Sequence, residues 1–241
     1  MKSLPLLSLS GLLGTGKNQL VNNMENLTQQ KALAYLRILY PIWMIVGMFS
    51  IMYVSSVIIV PGNMQATSNN LTSNEFFFRV GIVGSLLTNI ITIFAALLLY
   101  KLFEPVDKHH SVLMVVLVLI SVPIAMLNDL NNLAALNSAK NLAQMSFFLN
   151  LQSQGVLIAS IFFGLWLFPL GYLIYKSGYF PKIIGVCVLI GGIGYTVGSF
   201  LGLLMPNLTG LLSILQLMTF GEIIFLGWLV IKGAKLPKTR T

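Results

Sequence analysis

An all-α bundle of about six transmembrane helices, with both termini cytoplasmic, is the fold class this sequence predicts, and three observations predict it. Hydrophobic residues make up 56% of the 241 and charged ones only 8%, whereas a soluble domain carries about 25% charge; mean hydropathy is +0.88. So few polar groups do not cover the surface of a soluble fold of this size, a requirement that a lipid solvent removes. The apolar residues fall into six blocks of 21 to 24 residues, each long enough, at about 1.5 Å per residue, to cross a hydrocarbon core of about 30 Å. Lys and Arg alternate along the connections: with the N-terminus inside, twelve of the fourteen lie on the inner side, the positive-inside pattern.

Residues 1–37, with Lys2, Lys17, Lys31 and Arg37, read as a cytoplasmic N-terminal tail carrying a short interfacial helix. Its opening, MKSLPLLSLSG, has a faint signal-peptide look, but the apolar part is short and broken by Pro5 and serines. The transmembrane domain occupies 38–231. Its spans fall at about 38–60, stopped by Pro61-Gly62; 80–100; 111–134, the weakest, which ends in a polar cluster; 155–175; 182–205, opened by Pro181; and 208–231. Residues 232–241 form a basic cytoplasmic C-terminal tail. Helix is the state that satisfies the backbone of such blocks in lipid, since barrel strands are shorter and alternate. Tyr35, Tyr40, Tyr100, Phe103, Tyr175, Tyr179, Phe180 and Trp228 gather at the inner ends, where amphipathic rings anchor. Pro123 and Pro169 stand where they interrupt helices three and four, and no internal repeat is evident.

Small and polar residues recur at helical spacing in three blocks: Gly81, Ser85, Thr88 and Thr92, with Asn89 beside them; Ser121, Ala125, Asn128 and Asn132; and Gly191, Gly194, Gly198 and Gly202. Such stripes let helix backbones approach closely. They describe bundle seams or, in a sharper reading, a pore or substrate path. Gly194, Gly198 and Gly202 also offer a face for a second copy of the chain.

Glu222 is the most informative single residue. It lies fourteen residues in from Leu208, about 21 Å from the outer end, where an ionised carboxylate is expensive unless paired, hydrated or protonated. It is expected to face the bundle interior. Asp129 sits in the cluster NDLNN with Asn128, Asn131 and Asn132. Arg79 opens the second block on the same side of the membrane and is expected to pair with Asp129, with Glu75 as its competitor. An ion or polar-substrate site is the alternative use of Asp129. Glu222, Arg79, Asp129, Asn128 and Asn89 are therefore the candidate functional or inter-helix polar residues.

Other motifs fail on their chemistry. Gly11 to Lys17 nearly matches a phosphate-binding loop, but Asn18 stands where a hydroxyl would hold Mg²⁺, and 37 residues leave no room for the sheet such a loop needs. His109 and His110 are adjacent, diverge by about 100° on a helix, and do not converge on a metal. Cys187 is the one cysteine. No catalytic residue, cofactor or metal is expected. The net charge of +8 is explained by topology and not by nucleic-acid binding, because the charges lie between and beyond the apolar blocks. Membrane lipids are the expected partners.

Several stretches resemble the DUF4386 family of small bacterial multi-span membrane proteins: IIVPG (58–62), FFRVGIVGSLLTNI (77–90), LLLYKLFEPVDK (97–108), the long run 162–200 containing Tyr172 to Gly185, and GEIIFLGWLVIKG (221–233). The resemblance covers about 33–233 and leaves out residues 1–32. It implies a multi-pass protein of the bacterial cytoplasmic membrane and carries no activity to transfer, though Arg79, Tyr175, Gly178, Pro181 and Glu222 fall inside it. The scarcity of reactive groups reads as a non-enzymatic structural, sensory or regulatory bundle. Two alternatives stay open: a small transporter or ion-coupled permease using Glu222, and an intramembrane enzyme acting on lipid near Arg79 and Asp129.

Overall fold

A computed structural model describes residues 9–237, with side chains from Thr28 onward. The faint signal-peptide start therefore falls largely outside the described residues, as do Lys238 and Arg240 of the basic tail. Gly11 to Asn18, the near-match to a phosphate loop, lies on helical backbone without described side chains.

All regular structure among the described residues is helical, and six stretches are long and apolar enough to cross a membrane. Helix α1 (Leu9–Gly47) runs through one π-helical segment (Met48–Tyr53) into α2 (Val54–Ile58), and the first span is Thr28–Ile58. A short connecting helix α3 (Met64–Ser73) leads to α4 (Glu75–Phe103), which is followed by α5 (Lys108–Asn137). The fourth span consists of α6 (Leu142–Leu165) and α7 (Leu167–Ser177), the fifth is α8 (Lys182–Leu204), and the sixth consists of α9 (Thr209–Met218) and α10 (Phe220–Ile231). The six expected blocks are all present, but several helices outrun them. The third block, read as the weakest, is one unbroken 30-residue helix through the whole NDLNN cluster. The fourth starts at Leu142, where expectation placed residue 155. A hydropathy window drops polar turns that a helix keeps whenever other helices cover them.

Local chemistry explains the ends. Asn63, Asp107 and Asn141 each accept a backbone N–H three residues on (Ala66, His110 and Gln144), capping α3, α5 and α6. Gly178 stops α7 in the left-handed region at φ 68°, which a residue with a Cβ adopts only under strain. Pro181 precedes α8. Pro169 breaks its helix as expected. Its ring clashes with the carbonyl four residues back, Leu165, and the α6/α7 break sits at Trp166. Pro123 does not: α5 carries it without interruption.

The burial pattern is inverted relative to a soluble protein. Ile45, Leu127, Leu217 and Ile231 are among the most exposed side chains, while Thr88, Ser111, Ser121, Asp129 and Ser199 are buried. That is the arrangement of helices whose outer solvent is lipid. Two apolar clusters close the ends of the bundle. At the end carrying most of the lysines, Leu99, Phe103, Leu170, Ile174 and Phe225 pack together; at the other, Val54, Ile58, Leu71, Phe78, Leu136 and Met145 do. Phe103 stacks on Tyr179 and tilts against Phe180, which meets Phe225 edge-on. Tyr40, Phe103, Tyr179 and Phe180 are buried in this plug and are not the headgroup anchors expected; Tyr35 and Tyr175 are exposed.

Polar ties hold the lysine-rich end. Gln29 donates to the Leu102 carbonyl (2.8 Å) and to the Tyr179 hydroxyl (2.9 Å), and Arg37 donates to the Val230 carbonyl (3.0 Å). Lys176 reaches Asp107 at 2.8 Å. The Lys176 ammonium, together with the His110 side chain and amide, holds the Asp107 carboxyl well below the usual carboxylate range. A carboxyl whose pKa is depressed on folding stabilises the fold above its unfolded pKa, and that stabilisation begins to fade as pH falls below about 4. Asp107→Ala removes both the cap and the pair and is expected to lower the melting temperature at pH 7 by a few degrees. Thermal melts in detergent test this, with the gap between variant and parent shrinking below about pH 4.

Candidate functional site

Between the two apolar clusters the helices do not close. On α4 the lower cluster uses Phe78 and Ile82 and the upper uses Ala95 to Phe103; on α5 the corresponding sets are Leu136 and Met114 to Val122. In between, Ser85, Thr88, Asn89 and Thr92 of α4 and Ala125, Asn128 and Asp129 of α5 line a cavity of about 290 Å³ to which all six spans contribute. Span one supplies Trp43 and Ile51, span four Gln152, Phe163 and Trp166, span five Tyr195, and span six Glu222.

Each acidic group has a distinct setting. Asp129 is 8% exposed. One carboxylate oxygen accepts the Ser85 hydroxyl at 2.9 Å, the other the Asn132 amide at 3.1 Å. Glu222 lies in the first turn of α10, half-buried on the cavity wall. Among the described residues its carboxylate has no hydrogen-bond or ion-pair partner. The positive end of the α10 dipole is the nearest compensation its own helix provides. No Lys, Arg or His among the described residues lines the cavity, so two carboxylates share a space without a cation from them. Among the described residues no three His, Cys, Asp or Glu side chains gather as a metal cluster.

The amides are largely committed. Asn128 donates to the Gln152 carbonyl at 2.9 Å and accepts from Asn131 at 2.9 Å. Gly155 leaves the room Asn128 needs, since a Cβ there would overlap its amide. Asn89 donates to the carbonyl of Ser85, one turn back on its own helix, at 3.1 Å. The Trp43 indole donates to Thr92 at 2.9 Å, and Thr92 donates to the Thr88 carbonyl at 2.9 Å.

Three helices depart from regular geometry at the cavity: the π-helical segment containing Ile51, the break at Trp166, and the break at Thr219, three residues before Glu222. At Thr219 the backbone N–H turns to Gln216, a tighter turn than α-helix allows. Irregular backbone at membrane depth is tolerated where it lines a cavity or is buried in protein.

The structure brings together four of the five sequence candidates: Glu222, Asp129, Asn128 and Asn89. Arg79 stands apart. The expected Arg79–Asp129 pair does not form, because Arg79 binds Glu75 one turn earlier on its own helix at 2.9 Å. A local i,i+4 partner costs little ordering to engage, and Asp129 has turned to Ser85 instead. The stripes also resolve. Gly81 packs on Val54, while Ser85, Thr88, Asn89 and Thr92 face the cavity. Of the glycines the sequence offers as a face for a second copy, Gly194 and Gly198 lie beside Leu215 of α9 and Gly202 beside Leu157 of α6. Trp43, Gln152, Trp166 and Tyr195 were not legible as site residues. Spacing alone does not say whether a lone aromatic or polar residue on an otherwise apolar helix faces lipid or the bundle, and only the rotation of each helix shows which of them point inward.

A family model described as Domain of unknown function (DUF4386) matches residues 38–233. An uncharacterized protein of Archaeoglobus fulgidus is 35% identical over 160 residues, 65% of this chain and 86% of that relative. No solved structure matches.

Proposed function

The chain belongs to the DUF4386 family, and we propose that it is a small-solute permease whose solute site is the central cavity, with Glu222 as the group that exchanges charge during transport. One observation carries the reading: all six spans contribute to one cavity at membrane depth, and its largely apolar wall holds two carboxylates that have no cationic partner among the described residues. A bundle serving only as scaffold gains nothing from an unpaired carboxylate there, which is costly in a low-dielectric setting. Interrupted helices meeting at a midplane site are common in secondary transporters. The lipid-enzyme reading loses its constellation, because Arg79 is tied to Glu75 on an exposed helix face and lies outside the cavity.

The same proposal places the protein in the cytoplasmic membrane with both termini inside. The distribution of Lys and Arg supports that orientation, and Arg37, Lys176 and Lys235 all make their contacts at one end of the bundle.

The test is transport in liposomes holding the purified full-length chain and a trapped pH-sensitive dye. Addition of small amines, zwitterions and neutral polyols in turn is expected to produce a proton movement for at least one class, absent from empty liposomes. Silence across the panel, with folded protein confirmed in the vesicles, contradicts the reading.

A further inference from the structure

We infer that the cavity binds a small organic ammonium ion, held between carboxylates and aromatic rings. The inference rests on the cavity being a solute site, and it adds the class of solute. Six side chains carry it: Asp129 and Glu222, with Trp43, Phe163, Trp166 and Tyr195, all on the cavity wall. The carboxylates exclude anions and favour a positive charge. Each oxygen of Asp129 already accepts one bond, and the Glu222 carboxylate accepts none, so the pair can receive a further donor or cation without breaking what is there. The neutral donors on the wall are partly spent: the Asn128 and Asn89 amides each give one N–H to a backbone carbonyl, and the Trp43 N–H is engaged with Thr92. What Trp43 leaves to the cavity is its ring. Rings beside a negative group are how proteins recognise alkylated ammonium, through the attraction of a cation to the aromatic face together with burial of its carbon shell. A dense inorganic cation is held best by several convergent charged oxygen ligands, and no group of three or more His, Cys, Asp or Glu side chains gathers among the described residues. At about 290 Å³, the space is at the small end for ligand pockets and suits one compact molecule.

The probes are choline and its neutral isostere 3,3-dimethyl-1-butanol, with calorimetry and tryptophan fluorescence as readouts on the full-length chain in lipid nanodiscs. Two of the three tryptophans, Trp43 and Trp166, line the cavity, so occupancy is expected to change the emission. Saturable binding of choline, at least about tenfold tighter than the isostere, is the expected result. Glu222→Gln and Asp129→Asn are each expected to weaken choline about tenfold or more. Trp166→Leu is expected to weaken it about tenfold and Trp166→Phe to restore most of the loss. The comparison of choline with its isostere needs no variant and stands even if one fails to fold. Equal binding of the two probes, or no saturable binding of either, overturns the inference. So does displacement of bound choline by sodium or magnesium ions at equal concentration. Binding of choline without its transport sustains the ammonium site and counts against the permease; Glu222-dependent transport of a non-ammonium solute does the reverse.

Discussion

Glu222→Gln is expected to reduce transport at least tenfold while leaving the amount of folded protein unchanged. The side chain keeps its shape, and the carboxylate has no hydrogen-bond or ion-pair partner among the described residues, so no contact is forfeited. What is lost is a charge that the cavity presents to its solute, together with the capacity to bind and release a proton there. An unpaired carboxylate at membrane depth is a cost to the fold, and the variant is expected to melt at the same temperature as the parent or slightly above it. Transport in vesicles and thermal melts in detergent check the two halves separately. Equal loss of fold and activity assigns Glu222 a structural role.

Gly221→Leu is expected to act in the opposite sense, removing most of the folded protein. Gly221 lies beside the backbone carbonyl of Cys187, close enough that any Cβ would overlap it. A flexible side chain could move aside, but backbone inside α8 cannot move without carrying the helix. α10 must then separate from α8, and Glu222 moves with it. Gly194 meets a similar limit, with an added Cβ 2.6 Å from the Leu215 carbonyl oxygen. Overpacking of this kind costs about 1–3 kcal/mol and sometimes more. Gly227→Leu is the control, since nothing lies within 4 Å of a Cβ at that position. Monodisperse yield after solubilisation is expected to collapse for Gly221→Leu and to stay near the parent's for Gly227→Leu.

These two residues also show where sequence stops being informative. Glu222 is legible because a carboxylate surrounded by Ile, Phe and Leu has few places to go in a bilayer, and its inward orientation follows from cost alone. The six spans are legible for the same reason, as is the turn at Gly178-Pro181, where backbone geometry restricts the choice of residue. The ends of α5 and α6 are less so: Asn132 and Gln152 lower the hydropathy of their turns but are covered by neighbouring helices. The Arg79–Asp129 pair fails because pairing depends on relative rotation and depth, which no spacing rule supplies, while Glu75 was already within reach one turn away. The π-helical segment at Met48–Tyr53 and the break at Thr219 have no breaker residue to announce them. Tyr195 and Trp166 became site residues only when six rotations were known together.

The central claim, that Glu222 faces a water-reachable cavity and not lipid, is tested most directly with one engineered thiol. Cys187→Ser removes the lone cysteine, and Glu222→Cys or Ile224→Cys then adds one at the cavity wall or at the lipid-facing surface, where Ile224 is 51% exposed. Both chains, in liposomes, are treated with a charged, water-soluble methanethiosulfonate reagent. The thiol from Glu222→Cys is expected to be modified many times faster than that from Ile224→Cys. Equal, slow modification at both positions, with a lipid-soluble maleimide labelling both readily, would contradict it.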